Sequence, residues 1–366
     1  MNNYKAFSSM HLKRAFKVTA LFAGLAMTSS AFAQDRVRWQ VPIAFPSNLP
    51  AIGTPVTKMA KTVGDISGNN VQFKLYEPGE LIPAFEILDA VSQGKYNAGY
   101  TWVGYDAGSM PVLNLFGGGV PFGLEPPGYL AWHYFGEGKA LLEKTYEPYG
   151  VHPLLCGIVG PEGAGWYSKP IESAEDLKGL RMRFAGIGGQ VLERLGVSVN
   201  LIPAGDLYQA MERGTIDATE FSSPAADPVL GMHEIVKYYY MPGWHQSATA
   251  LHLLVNDKAW RGLTEQARAQ IEVACKSTVL EAYSESEFGN AHALEFFKSK
   301  GVTVSRLPDE LLKTFQDISE DVLADVASKD EMFKTVMESQ EKWMELFGEW
   351  HYKGYLPREF FSPDKK

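Results

Sequence analysis

The chain is poor in cysteine, in basic residues and in long apolar runs, and each shortage excludes something. Two cysteines in 366 residues cannot form the dense framework of a small disulfide-stapled domain. Cys156 lies in an apolar run and Cys275 in a helical pattern. In an oxidising compartment they could pair, although two buried thiols are the commoner arrangement. Lys and Arg number 34 against 43 Asp and Glu, a net charge of -9. That balance argues against nucleic acid, whose phosphates need a basic face. It leaves an anionic ligand open, because one buried arginine sets a local potential better than net charge does. Beyond the first thirty or so residues no stretch approaches the ~20 apolar residues that a spanning helix requires.

Enzyme signatures are scarce as well. There is no G-x-S-x-G elbow, which lowers the case for a serine hydrolase. His233-Glu234 opens like a zinc-protease helix, but Lys237 stands where the second histidine belongs, so no metal pair forms. Gly186-Ile187-Gly188-Gly189 follows a strand pattern and opens a helical one, yet Val191 replaces the third glycine of a dinucleotide loop. A tight turn at a helix N-terminus is the simpler reading, and such a turn can still receive a carboxylate.

What is present begins with an export signal. Lys5, Lys13, Arg14 and Lys17 form a cationic start, 18–27 is apolar, and Ser29-Ser30-Ala31-Phe32-Ala33 offers small residues for cleavage before Gln34. A signal peptide over 1–33 leaves about 333 residues outside the cytoplasm, enough for two lobes. Losing four cations and no acids takes the net charge from -9 to about -13.

The chain contains one internal echo. The segment 83–98, Pro-Ala-Phe-Glu-Ile-Leu-Asp-Ala-Val-Ser-Gln-Gly-Lys-Tyr-Asn-Ala, matches 203–218, Pro-Ala-Gly-Asp-Leu-Tyr-Gln-Ala-Met-Glu-Arg-Gly-Thr-Ile-Asp-Ala. In each, proline opens a helix, apolar positions recur at helical spacing, and glycine closes it before a strand. The echo implies equivalent units in two lobes of similar build. Elsewhere strands (36–43, 71–76, 180–184, 251–256) alternate with helices (56–66, 190–195), and Ser173-Ala174-Glu175-Asp176 resembles a capping box. The expected fold class is therefore α/β with helices on both sheet faces. From Thr264 onward the pattern is helical to the end. Leu311, Phe315, Ile318, Val322 and Val326 share one stripe, and Trp343, Phe347, Trp350 and Tyr355 offer docking or dimer surface.

The informative side chains sit where strands should end, the place where open α/β sheets bind ligands. Phe45 follows the first strand, Tyr100, Trp102 and Tyr105 follow the first echo, and Glu220 and Phe221 follow the second. The aromatics suit a pocket wall or a core. Arg181 and Arg183 alternate with apolar neighbours, and a guanidinium fork matches a carboxylate bidentately. Glu220 could pair with an arginine or ligate a hard cation. The dense run Tyr238-Tyr239-Tyr240-Met241-Pro242-Gly243-Trp244-His245-Gln246 is read as pocket wall.

On these residues the sequence resembles a known family, the extracytoplasmic solute receptors of tripartite ATP-independent periplasmic (TRAP) transporters. The resemblance covers essentially the whole chain after the signal. It is carried by Asp176-Leu177-Lys178-Gly179-Leu180-Arg181-Met182-Arg183, by Glu212 through Glu220, and by Tyr238 through Trp244. The last, with Leu155-Cys156-Gly157, is similar to the branch that binds 2-oxo acids and related monocarboxylates with a metal ion. The resemblance implies a periplasmic two-lobed fold with crossing strands, a long helix spanning both lobes and long C-terminal helices. The expected lobe I is 34–157 plus about 247–290, and lobe II is 158–246 plus the C-terminal helical region to 366.

It further implies that Arg183 clamps the substrate carboxylate, with Phe45, Tyr100, Trp102, Tyr105, Trp244 and His245 around the ligand. A sodium or calcium ion would be held by Glu162, Glu220, Phe221 through its carbonyl, and Gln246. Acid and amide are exchanged here between the outer two metal positions of the branch, and His245 departs from its pattern. The implied partners are a small carboxylate and the transporter's membrane subunits, with a homodimer through the C-terminal helices. A dicarboxylate or sugar-acid receptor and a periplasmic enzyme acting on oxo acids are the alternatives. For a dicarboxylate, Arg181 is the only nearby second cation.

Overall fold

The structure is a computed structural model that describes residues 36–361, so the expected signal peptide lies outside the described residues. The first part of the chain supplies β1 (Val37–Pro42), α1 (Thr54–Ile66), β2 (Val71–Tyr76), α2 (Ile87–Ser92) and β3 (Ala98–Trp102). Three helices, α3 (Leu113–Phe116), α4 (Pro126–Phe135) and α5 (Gly138–Tyr146), lead to the long strand β4 (Val151–Val159). The middle supplies β5 (Gly165–Tyr167), β6 (Arg181–Arg183), α6 (Gly186–Arg194), β7 (Ser198–Asn200), α7 (Leu207–Glu212) and β8 (Ala218–Thr219). There follow α8 (Asp227–Leu230), α9 (Met232–Ile235), β9 (Tyr238–Met241), β10 (Thr249–Asn256) and α10 (Asp257–Arg261). The chain ends with α11 (Glu265–Ser299), β11 (Thr303–Arg306), α12 (Asp309–Ala327) and α13 (Glu331–Gly354).

Two sheets form. In the first, β2 and β1 are parallel, Ile43 bridges to Tyr100, and β3, β10 and β4 follow antiparallel. In the second the order is β11-β9-β5-β8-β6-β7, with parallel and antiparallel pairs mixed. The long strands β4 and β10 belong to the first sheet, and the chain beyond β4 and before β10 belongs to the second. The antiparallel pair thus carries the chain out and back, and Thr249 is paired with Val159 at its far end.

The internal echo is structural. In both copies a tight helical turn (Ala84–Glu86, Ala204–Asp206) leads into a six-residue helix, α2 or α7. Gly94 at φ 70° and Gly214 at φ 67° then close it, a conformation that disfavours a Cβ. The amides of Lys95 and Thr215 donate to the carbonyls of Ala90 and Ala210, both at 2.9 Å, and a strand starts at Ala98 or Ala218. One copy lies in each sheet.

The helix α11 runs 35 residues, about 52 Å at 1.5 Å per residue. Near its start it lies along β4 and α1; towards its end Ala293 and Phe297 join a core with Trp166 and Tyr239 of the second sheet. It therefore spans both lobes. Cys156 of β4 and Cys275 of α11 form a disulfide, which corrects the expectation of two buried thiols. Both are fully buried where helix and strand meet, a proximity that sequence separation of 119 residues conceals.

Helix does not continue unbroken after Thr264. Gly301, at φ 72°, turns the chain, and β11 pairs in parallel with β9, so that Thr303 lies opposite Tyr238. The expected stripe on α12 holds, with Leu311, Phe315 and Val322 buried. The C-terminal region divides: α12 packs on α6, whereas α13 packs on α3, α4 and α5 beside the first sheet. The capping signal at Ser173 opens only a short turn, Ala174–Leu177, whose Asp176 carboxylate accepts from the Ser173 amide at 2.9 Å.

Candidate functional site

The ends of five strands meet at one cavity. β3 delivers Trp102 and then Tyr105; β6 ends in Arg183; β8 is followed at once by Glu220 and Phe221; β4 leads to Glu162 and β10 is approached through Gln246. The pairing of β4 with β10 continues into these loops, where the Glu162 amide donates to the Gln246 carbonyl at 3.3 Å. The Gly243 amide donates to the Glu162 carbonyl at 2.8 Å. A Cβ at Gly243 would stand 2.4 Å from that carbonyl oxygen, so only glycine lets the turn lie this close. The cavity is small and is lined by Phe45, Ile52, Trp102, Tyr105, Glu162, Arg183, Ala185, Glu220, Phe221, Ser222, Gln246 and Thr249.

Arg183 is 1% exposed and Glu220 is 2% exposed, and their Nη1 and Oε2 lie 2.9 Å apart. The same Nη1 donates to the Glu220 carbonyl, Nε donates to Ile202 at 3.3 Å, and the guanidinium lies 5.1 Å from the Phe221 ring centre. Among the described residues Nη2 has no protein acceptor. One side of the fork is thus bound to protein, and the other leaves a donor unused on a residue that lines the cavity.

Glu162 stands beside this pair in a second network. Its carboxylate accepts from Gln246 Nε2 at 2.9 Å and from Thr249 Oγ1, and His245 Nε2 lies 3.1 Å away. His245 also reaches within 3.6 Å of Glu220. Burial would raise Glu220, but the Arg183 guanidinium and then His245 hold it down to about 2. Glu162 is pushed up to about 8, first by burial and then by the Glu220 carboxylate. Burial would lower His245, but its bonds to the two carboxylates lift it to about 9. Two buried carboxylates this close call for a compensating positive charge, a proton or a bound cation.

The donor set suits a hard cation. Glu162 and Glu220 supply carboxylate oxygens, Gln246 lines the same cavity, and the Phe221 carbonyl has no protein donor among the described residues. Glu162, Glu220 and His245 can bring one ligand atom each within 4.8 Å of one another.

Several residues expected at the ligand lie elsewhere. Tyr100 is buried behind the wall, its hydroxyl donating to the Ile52 carbonyl at 3.1 Å. Trp244 stacks on Phe315 of α12 with ring centres 4.2 Å apart, and so anchors that helix rather than lining the cavity. The tyrosines at 238–240 form β9, with Tyr239 in the core against Trp166 and Phe297, which corrects their reading as pocket wall. His245 stands behind the carboxylates. Trp102 presents its ring only, because its indole N–H is bound to the Gly117 carbonyl at 2.9 Å. Arg181, expected on the same strand face as Arg183, is half-exposed and gripped by Asp217 through Nε at 3.0 Å and Nη2 at 2.6 Å. Ile52, Ala185, Ser222 and Thr249 were not singled out from the sequence. Only Thr249 carries a usable signal, a hydroxyl shortly after Gln246 at the mouth of a strand.

The chain belongs to the bacterial extracellular solute-binding proteins of family 7, whose model matches residues 45–330. Its members are receptors of TRAP transporters, extracytoplasmic proteins that bind a solute and pass it to membrane subunits rather than enzymes. Over 326 residues the chain is 34% identical to a monocarboxylate 2-oxoacid-binding periplasmic protein of Nostoc sp., covering 89% of each. Two solved structures share 33% identity. One is a TRAP transporter solute-binding protein of Bordetella bronchiseptica, a dimer with calcium and picolinate, at a TM-score of 0.84 over 87% of this chain and 94% of that one. The other is a TRAP periplasmic solute-binding protein of Pseudoalteromonas atlantica with sodium and pyruvate, at a TM-score of 0.82 over 86% and 96%. Among the described residues no helix is long and apolar enough to cross a membrane.

Because Arg183 and Glu220 are buried as a pair, removing one strands the other. Arg183→Ala should lower unfolding free energy by roughly 3–5 kcal/mol, and adding Glu220→Gln should recover part of that loss. Denaturant titration of the three proteins checks this; an Arg183→Ala protein as stable as wild type would contradict the buried pair.

Proposed function

We propose that this receptor captures a small 2-oxo or 2-hydroxy monocarboxylate, such as pyruvate or lactate, together with a sodium or calcium ion, in the periplasm. This reading is supported most directly by the single arginine on a small cavity that also presents two carboxylates. Arg183 offers its outer Nη2 to the acid's carboxylate. Glu162, Glu220, Gln246 and the Phe221 carbonyl would hold the cation, which supplies a positive charge to bridge ligand oxygen and protein carboxylates. The Tyr105 hydroxyl, without a protein partner among the described residues, faces the same space and can donate to a second ligand oxygen. Phe45, Ile52, Trp102 and Phe221 exclude water, which strengthens each polar contact.

A dicarboxylate needs a second cation, and Arg181 is committed to Asp217 in solvent. The proposed lobes divide near residue 158 and again near residue 246, where the chain leaves β4 and approaches β10. Lobe closure would bring the Arg183 side and the Trp102 side onto the ligand together, so ligand shifts the open–closed balance.

Thermal unfolding of ligand-stripped protein tests the assignment. Pyruvate, 2-oxobutyrate and lactate, each at ~1,000 times its dissociation constant with sodium or calcium present, should stabilise by roughly 4 kcal/mol. The shift should vanish with chelator in sodium-free buffer. A cation-independent shift for succinate or malate would replace the reading with a dicarboxylate receptor.

We propose too that the receptor is a homodimer through its C-terminal helix. Trp343 and Phe347 dock inward on α4, where Trp343 donates to the Gly128 carbonyl at 2.9 Å, but Leu346, Trp350 and Tyr352 are 66%, 60% and 87% exposed. Apolar surface this concentrated marks an interface. Sedimentation should give a dimer at micromolar concentration and a monomer for Leu346→Glu/Trp350→Glu; a wild-type monomer at that concentration would refute the proposal.

A further inference from the structure

The cation cluster contains an imidazole as well as oxygen donors. His245 Nε2 stands 3.1 Å from Glu162 Oε2 and 3.6 Å from Glu220 Oε1, all three side chains being buried. Neighbouring ligand atoms on one ion with bonds of about 2.1 Å lie about 3.0 Å apart at right angles and about 3.4 Å apart in a tetrahedron, bond lengths typical of nitrogen and oxygen on zinc. The two separations observed, which His245 makes as direct polar contacts, are also short enough for the three side chains to meet on one small ion. We infer that Glu162, Glu220 and His245 form a two-carboxylate, one-imidazole site that takes a nitrogen-accepting first-row divalent ion, such as zinc or cobalt, in preference to calcium.

Three arguments support the assignment. First, imidazole suits zinc, cobalt and nickel, whereas an all-oxygen set suits calcium and sodium. Secondly, His245 is held in place by its packing. Its neighbour Trp244 is stacked on Phe315, and the imidazole itself lies edge-on to Phe184 with ring centres 4.6 Å apart. A Cβ on Gly188 would stand 2.6 Å from the His245 Cβ, so the first turn of α6 closes over the residue at a glycine. Thirdly, the charges balance. Two carboxylates, one guanidinium, one monocarboxylate ligand and a divalent ion sum to zero, whereas a monovalent ion leaves one buried negative charge uncompensated. The inference rests on the proposed ligand site and adds that His245 sets which cation that site selects.

The test uses the chelator-stripped full-length mature protein and metal ions alone. Calorimetric titration with zinc, cobalt and calcium gives each affinity and stoichiometry, and cobalt's visible absorption reports nitrogen and oxygen ligation directly. Wild type should bind one zinc or one cobalt at least 100-fold more tightly than calcium. In His245→Gln the zinc-to-calcium ratio should fall at least tenfold, with the cobalt bands shifted. Glu220→Gln should weaken all three ions, which separates the site from adventitious zinc on the exposed His292. An unchanged ratio or unchanged cobalt bands in His245→Gln would overturn the inference. Loss of the pyruvate shift in calcium, with the His245-dependent zinc preference intact, would instead overturn the ligand reading and leave the metal site standing.

Discussion

A buried guanidinium tied to a buried carboxylate organises this molecule. Arg183 and Glu220 are about as enclosed as any side chains in the protein, and neither could be tolerated there alone. Their pairing requires β6 and β8 to lie side by side, and the ladder does this directly: the Glu220 amide donates to the Arg183 carbonyl at 3.1 Å. Once that pair is set, a second buried carboxylate, Glu162, can be charged only beside a further positive charge. The surplus charge defines what the site can hold. On the proposed reading a cation answers the two acids and an anion answers the outer half of the guanidinium.

The topology explains why these groups come from distant parts of the chain. β4 and β10 pair over nearly their whole length, so the loops at their ends must meet, and Glu162, Gln246 and Thr249 are carried on those loops. The repeated unit supplies the opposing walls. After its first copy the strand runs into Trp102 and Tyr105, and after its second into Glu220 and Phe221. One piece of local grammar, used twice, therefore furnishes the apolar wall in one sheet and the charged wall in the other. α11, bonded to β4 through Cys156–Cys275, spans both.

Much of this was legible in the residues. Proline, helical spacing and glycine marked the echo because a turn with positive φ admits few other residues. Arg183 and Glu220 stand out as charged groups at strand ends, whereas Gln246 is marked as a ligand only by the family resemblance. Aromatic density misled, because tyrosine and tryptophan serve cores and pockets alike: Tyr239 and Trp244 bury their rings against Phe297 and Phe315, contacts made by helices more than fifty residues away. β11 was hidden because Thr303 to Arg306 lies between two strong helical patterns and becomes a strand only beside β9. The disulfide was open for the same reason, since pairing depends on where α11 lands on β4. Thr249 and Ser222 gave little signal because a single hydroxyl is ordinary until its neighbours are known.

On the proposed reading the anion and the cation are bound as one unit around Arg183 and Glu220. Calorimetry of pyruvate binding across a calcium series tests it most directly. If the account is right, calcium tightens pyruvate and pyruvate tightens calcium by the same factor, as linkage demands. Pyruvate affinity that is independent of calcium and of any other cation would contradict it.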